Sequence, residues 1–237
     1  MENYANSLQY KKYFEQFEYI FYKKYFKDKN EMTIDNCYKI VIEEYNHFYN
    51  ISKNYSKYVS CHKIKLYKHN IIIYENKCVF IPKPFFQYIK HNNKNEYFVS
   101  GNDLLDFSVY NITENEEYRY VHEYTINDDY EGICNNEFWY IREWKYNIKN
   151  NIVAINGQDV MNCSTITIFD FSEPKKLPYN FVNLSQEIDK KYEDRFFSGI
   201  EWTKNNGLLI KIDKNITQEA IIEENVIENI LKNQTST

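Results

Sequence analysis

A strand, a turn and a second strand recur along this chain about every 57 residues, and this repeat limits the fold more than any other feature. Around Asn95 the chain reads NEYFVSG and then SVYNIT. Around Asn151 it reads NNIVAING and then ITIFDFS, and around Asn205, NNGLLIKI. Gly101 recurs as Gly157, 56 residues on, and Trp144 as Trp202, 58 residues on. The strand pair Phe98-Val99 and Val109-Tyr110 thus matches Val153-Ala154 and Ile168-Phe169. Each unit closes its second strand on Asp or Asn before a charged or Pro-containing turn, which is how a blade-like β-meander reads. The third unit lacks the second-strand pattern, and residues 60–213 hold about three units where a closed propeller uses at least four blades. The expected fold is therefore mostly β (α+β): antiparallel meander units resembling an incomplete β-propeller, with an N-terminal helical pair covering an edge and a C-terminal helix.

The helical pair is read from apolar spacing. Tyr10, Tyr13, Phe14, Phe17, Phe21 and Tyr25 keep one helix face, with Lys11, Lys12, Glu15, Glu18, Lys23 and Lys24 on the other. A second helix is expected from Thr33 as N-cap, with Asp35 in its first turn and Cys37, Tyr38, Val41, Ile42, Tyr45 and Tyr49 inward. After about residue 60 the period shortens to that of strands. His62 to Tyr67 alternates, Ile71 to Tyr74 and Cys78 to Ile81 are β-branched runs, and Pro82 and Pro84 end the last. Thr217 caps the expected closing helix, whose stripe is Ile222, Val226, Ile227 and Ile230. The expected organisation is a helical pair at 1–58 packed on the β domain, a propeller-like domain at 59–216, and a helix and tail at 217–237.

Composition excludes several classes. With 24 Tyr and 16 Phe among 237 residues, apolar area suffices for a core, and 5 Gly, 4 Pro and 5 Cys exclude collagen-like, linker and disulfide-framework chains. The net charge of -5 argues against a broad basic nucleic-acid face. It is uneven: residues 1–70 carry 12 basic and 8 acidic side chains, the remainder 17 and 26. The first third suits an acidic surface and the rest a basic partner. Cys37, Cys61, Cys78, Cys134 and Cys163 form no C-x-x-C pair and read as reduced thiols. No apolar run approaches the roughly 18 residues of a membrane span, and Met1 to Leu8 has no leader pattern, so a cytoplasmic protein without membrane contact is expected. The sequons at Asn111 and Asn183 then follow from an Asn-rich composition, of the kind an AT-rich genome gives.

The segment Phe138-Trp139-Tyr140, Asn151-Ile-Val-Ala-Ile-Asn-Gly157, Ile166-Thr-Ile-Phe-Asp-Phe-Ser-Glu-Pro174 and Leu177-Pro178-Tyr179 resembles a group of bacterial proteins with propeller-like repeats. In that group a Gly-Cys-Tyr-Trp turn precedes a strand closing on Asp-Phe-Ser-x-Pro-x-x-Leu-Pro. Here the turn reads Gly157-Gln-Asp-Val-Met161, without its aromatic half. The resemblance spans residues 138–212. It implies the fold rather than an activity, and genes of the group resemble neighbours of toxin and immunity loci.

Chemistry-bearing patterns are sparse. His47, His62, His69, His91 and His122 show no H-E-x-x-H or H-x-H spacing, and adjacent Cys61 and His62 point to opposite strand faces, so no metal site and no cofactor are expected. Cys61, His62, Cys78 and His69 would approach one another only if their strands formed a hairpin. A nucleophilic site would pair Cys163 or Ser164 with His122 and Asp159 or Asp170, without the G-x-S-x-G turn that normally marks one. Carboxylate pairs such as Asp103 with Asp106 and Asp128 with Asp129 suit a hydrolase.

The densest feature lies at residues 114–131, where Glu114, Glu116, Glu117, Glu123, Asp128, Asp129 and Glu131 face only Arg119. It reads either as a solvated loop or as an acidic patch for a basic surface such as a nuclease channel. Beside it, strand alternation sets Phe138, Tyr140, Arg142 and Trp144 on one face and Trp139, Ile141 and Glu143 on the other. Both faces are core, or one set anchors an interface. The expectation is a non-enzymatic binding module, an immunity-type or phage-type inhibitor. It would mask a basic protein partner through the acidic residues together with Trp139, Tyr140, Arg142 and Trp144, with no direct nucleic-acid binding. The alternative is a hydrolase built from dispersed carboxylates or from Cys163 with His122.

Overall fold

Tight strand reversals often use a backbone with positive φ, and most of those in this chain that do so place asparagine there. His69, Asn70, Lys94, Asn115, Asn151 and Asn206 have φ between 49° and 70°, and no described glycine does. Asn tolerates this region better than other L-residues because its short amide finds local hydrogen bonds there. In the computed structural model, which describes residues 3, 5–15, 17–52, 55–79, 84–101, 106–121, 140–158, 164–177, 179–184, 187–188, 196–212 and 218–234, these turns separate the strands of four antiparallel sheets.

The first sheet is β1 (Phe26–Thr33), β2 (Tyr38–Ser52), β3 (Tyr55–Lys68) and β4 (Ile71–Cys78). The second is β5 (Phe86–Lys90), β6 (Glu96–Gly101), β7 (Phe107–Asn111) and β8 (Glu116–Tyr120). The third is β9 (Tyr140–Asn147), β10 (Ile152–Gln158), β11 (Ser164–Asp170) and β12 (Val182–Asn183). The fourth is β13 (Phe197–Trp202), β14 (Leu208–Ile212) and β15 (Gln218–Ile222), followed by helix α2 (Glu224–Gln234). In every sheet the strands neighbour one another in sequence order, so the fold is mostly antiparallel β-meander, as the repeat predicts. The leading strands β1, β5, β9 and β13 begin 60, 54 and 57 residues apart.

The repeat also fixes register. Phe98 faces Tyr110 and Val99 faces Val109, while Val153 faces Phe169 and Ala154 faces Ile168, so the matched strand pairs match in space. The glycines slip by one. Gly101 faces Phe107, and the position equivalent to it in the third sheet is Asn156, with Gly157 next along, where the β9–β10 ladder bulges.

The N-terminal helical expectation is half correct. Helix α1 (Leu8–Glu15) forms, and Ser7 Oγ accepts the Tyr10 N–H at 3.0 Å as its cap. It gives way to two short 3₁₀ turns at Glu18–Phe21 and Lys23–Tyr25. Phe17, Ile20 and Phe21 then pack on Tyr45, Cys61 and Val79. The second helix, expected from Thr33, is a correction: Tyr38–Ser52 is β2. The misleading signal was Asp35, whose carboxylate accepts the N–H groups of Cys37 (2.8 Å) and Tyr38 (2.9 Å). That is cap-like chemistry used in the β1–β2 turn, and the run Ile40-Val41-Ile42 then favours strand. The closing helix likewise begins at Glu224, because Gln218–Ile222 pairs with β14.

The chain divides into two compact units, one of Glu2–Tyr88 with Tyr97–Asp128, the other of Met1, Ile89–Glu96 and Asp129–Thr237. Within the second, Ile152, Ala154, Ile166 and Ile168 of the third sheet share a core with Ile200, Leu208, Ile210 and Ile212 of the fourth, and Ile227 of α2 closes it. No described helix is long and apolar enough to cross a membrane.

Two turns share one construction beyond the strand repeat. In Tyr110-Asn111-Ile112-Thr113-Glu114-Asn115 and Tyr146-Asn147-Ile148-Lys149-Asn150-Asn151, the tyrosine hydroxyl donates to the last Asn Oδ1 at 2.7 Å. The first Asn accepts the N–H two residues on, at 3.1 and 3.0 Å. Asn111 itself is thereby buried in its own turn. Replacing Asn151 by Ala removes the hydroxyl acceptor and forces alanine into the left-handed region. Asn151→Ala is expected to lose about 2 kcal/mol, and Asn151→Gly about 1 or less, in chemical denaturation.

Candidate functional site

Of the acidic and aromatic residues singled out above, the described set holds Glu114, Glu116, Glu117, Arg142 and Trp144. Glu123, Asp128, Asp129, Glu131 and Trp139 lie outside the described residues, as do the side chain of Tyr140, and His122, Asp159 and Cys163 of the hydrolase alternative. The candidate site is therefore built on the β7–β8 hairpin.

Strand alternation sorts its charges onto two faces. Glu117 and Arg119 share one, and Arg119 Nη2 donates to Glu117 Oε1 at 2.9 Å. The buried Tyr74 hydroxyl of β4 donates to the same oxygen at 2.9 Å. Burial alone would raise the Glu117 carboxyl, but the guanidinium and the donated hydrogen bonds outweigh it and hold the group below the usual carboxylate range. Burial and the adjacent carboxylate push the Tyr74 hydroxyl above the ordinary tyrosine range. Below this pair, Asn76 Nδ2 donates to Ser100 Oγ (2.8 Å) and the Gly101 carbonyl (3.0 Å), so β4 and β6 are joined by directed bonds. Glu117 is thus a structural anion with its charge compensated.

On the hairpin's other side Glu114 and Glu116 are exposed. Asn111 Nδ2 donates to Glu114 Oε2 at 2.9 Å, and the Tyr118 hydroxyl donates to Glu116. These neighbours hold both exposed carboxylates at the solvent face of the hairpin.

The aromatic half of the predicted surface is distributed differently. Trp144 is 4% exposed and stacks edge-on against Phe169 (5.1 Å) and Phe171 (6.2 Å), inside an aromatic core. Arg142 lies with its guanidinium 4.2 Å above the Phe196 ring and donates to Gln158 Oε1 at 2.5 Å. Between them Glu143, which the sequence reading did not single out, accepts Asn156 Nδ2 (3.2 Å) and the Ile200 N–H (3.1 Å). It ties the third sheet to the fourth together with Trp202, whose indole N–H donates to the Lys145 carbonyl at 2.9 Å. The recurrence of Trp144 as Trp202 was the signal for this junction, although one indole is core and the other a staple.

Other candidates separate. Ser164 and Asp170 open and close β11, about 20 Å apart, and do not meet. His62 faces Cys78 across β3 and β4, with Cys61 on the opposite face, and no group of three metal-ligating side chains occurs among the described residues. His91 Nδ1 accepts the Asn93 N–H at 3.1 Å, so its Nε2 is the donor to the Phe171 carbonyl at 2.9 Å.

No family model and no curated protein matches the chain. Among solved structures, a GDP-Man-dependent mannosyltransferase from Leishmania mexicana aligns over 83% of this chain and 67% of its own, at 10% identity and a TM-score of 0.32, a likeness too slight to carry an argument about fold or activity.

The depressed Glu117 carboxyl has a pH consequence. Its contribution is fully present above the unfolded value near 4.3 and is lost as pH falls through the lower folded value. With solvent screening of this partly exposed group, Glu117→Gln is expected to cost up to about 1 kcal/mol at pH 7, and urea titrations should show wild type and variant converging as pH falls below the ordinary carboxylate value.

Proposed function

We propose that this chain is a non-enzymatic protein-binding module of the immunity or phage-inhibitor kind, masking a basic, nuclease-like partner through the acidic edge that begins at the β7–β8 hairpin. The observation that supports it is the pre-positioning of Glu114 and Glu116. Each is exposed, and each is held by a neutral hydrogen-bonding neighbour, Asn111 or Tyr118. Carboxylates fixed in this way lose less side-chain freedom on meeting a cationic surface, and they raise the rate of encounter with it. The proposal extends to the other partner-binding residues read from the sequence, Glu123, Asp128, Asp129, Glu131, Trp139, Tyr140 and Arg142. The excess of acidic residues beyond residue 70 gives the long-range attraction, and a cytoplasmic location goes with the reading. The resemblance of residues 138–212 to propeller-repeat proteins near toxin and immunity loci agrees with it.

The test is affinity purification of tagged wild type and of Glu114→Lys/Glu116→Lys from the native host. Glu117 stays intact, and circular dichroism confirms folding of both. Wild type is expected to retain one basic protein near 1:1, released by salt, and the double variant to retain about 10-fold less. Equal retention by the two proteins, or recovery of no basic protein, would overturn the proposal.

A further inference from the structure

Strand β1 is the outer strand of the first sheet, and all eight of its residues are exposed. Its ladder with β2 is regular from Asp28 to Thr33, and no described strand pairs with its free side. The six regular, proline-free residues Asp28–Thr33, beyond the irregularity between Phe26 and Asp28, are a template for another strand, and charge is the usual means of discouraging indiscriminate pairing. Here the charge is arranged to be selective. Lys29 and Glu31 lie on one face, on either side of Asn30, and pair with each other along the strand at 2.6 Å. Lys39 of β2 also reaches Glu31, at 3.2 Å.

Two copies of β1 can join edge to edge, antiparallel, only about a two-fold axis normal to the sheet. Like faces then lie together, and paired residue numbers have an even sum. Among the registers that overlap most of the strand, one centred on Lys29 sets lysine against lysine, and one centred on Glu31 sets glutamate against glutamate. The register centred on Asn30 places each Lys29 opposite the other copy's Glu31, twice, and leaves Asp28 opposite Met32, with no like charges facing over the regular part of the strand. Parity also ensures that outward N–H and C=O groups meet outward groups, whichever set of residues carries them.

We infer that β1 is a homodimerisation edge, and that a second copy of this chain pairs with it antiparallel about Asn30 to form one eight-stranded sheet across two chains. The partner is identified by self-complementary charge: the strand attracts its own copy in one register and repels it in the neighbouring ones. This edge is separate from the β7–β8 hairpin, so either proposal stands or falls alone.

The test uses analytical ultracentrifugation of the full chain. Wild type is expected to dimerise by roughly 100 µM. Lys29→Glu and Glu31→Lys each place like charges opposite at two symmetric positions, so each is expected to weaken self-association about 10-fold or more. Both substitutions fall on exposed side chains, and circular dichroism checks their folding. An equimolar mixture sets an all-acidic edge against an all-basic one and is expected to restore a 1:1 heterodimer. A monomeric wild type, single variants that dimerise as wild type does, or a mixture that forms no heterodimer would each overturn the inference.

Discussion

Every sheet in this protein depends on a reversal of the chain that most L-residues resist. Glycine is the usual solution, yet the chain has five glycines, and none of those described adopts positive φ. Asparagine takes the role and adds to it. Glycine only permits a turn, whereas Asn115 and Asn151 also accept a tyrosine hydroxyl from the preceding strand, and Asn206 donates to Glu224 at the start of α2. These side-chain bonds tie each turn to one register, and register decides which alternate residues reach the core. Where Gly207 does follow Asn206, the reason is proximity: a Cβ there would lie 3.0 Å from the Ile222 carbonyl.

Apolar burial brings the sheets together without specifying how they sit, because it has no direction. Direction comes from a few polar groups. Glu143 and Trp202 link the third and fourth sheets through backbone groups, and Asn76, Tyr74 and Glu117 do the same for the first and second within their unit. Glu143, Trp202, Asn76 and Tyr74 are partly or wholly buried with a partner in place, the condition under which a buried polar group favours one arrangement instead of merely costing desolvation.

Much of the fold was legible because strand period and β-branched composition are local signals. The pairing of Phe98 with Tyr110 and of Val153 with Phe169 was implicit in the repeat. The misread second helix has a local cause: Asp35 offers chemistry that caps helices and shapes turns alike, and only tertiary pairing decides between them. The candidate site was less legible. That Glu117 is neutralised follows partly from its two-residue spacing to Arg119 once β8 is a strand. The contribution of Tyr74, 43 residues away in another sheet, has no local signature. Trp144 and Arg142 share a predicted face, yet one ring is core and the other side chain rests on Phe196, a distinction set by neighbours that alternation does not name.

Sequence-ordered sheets have a kinetic meaning as well. When each strand pairs with the one before it, little loop-closure entropy is spent before contacts are gained, and a meander can form soon after its last strand leaves the ribosome. The linking bonds of Glu143 and Trp202 require the following sheet and so must form afterwards.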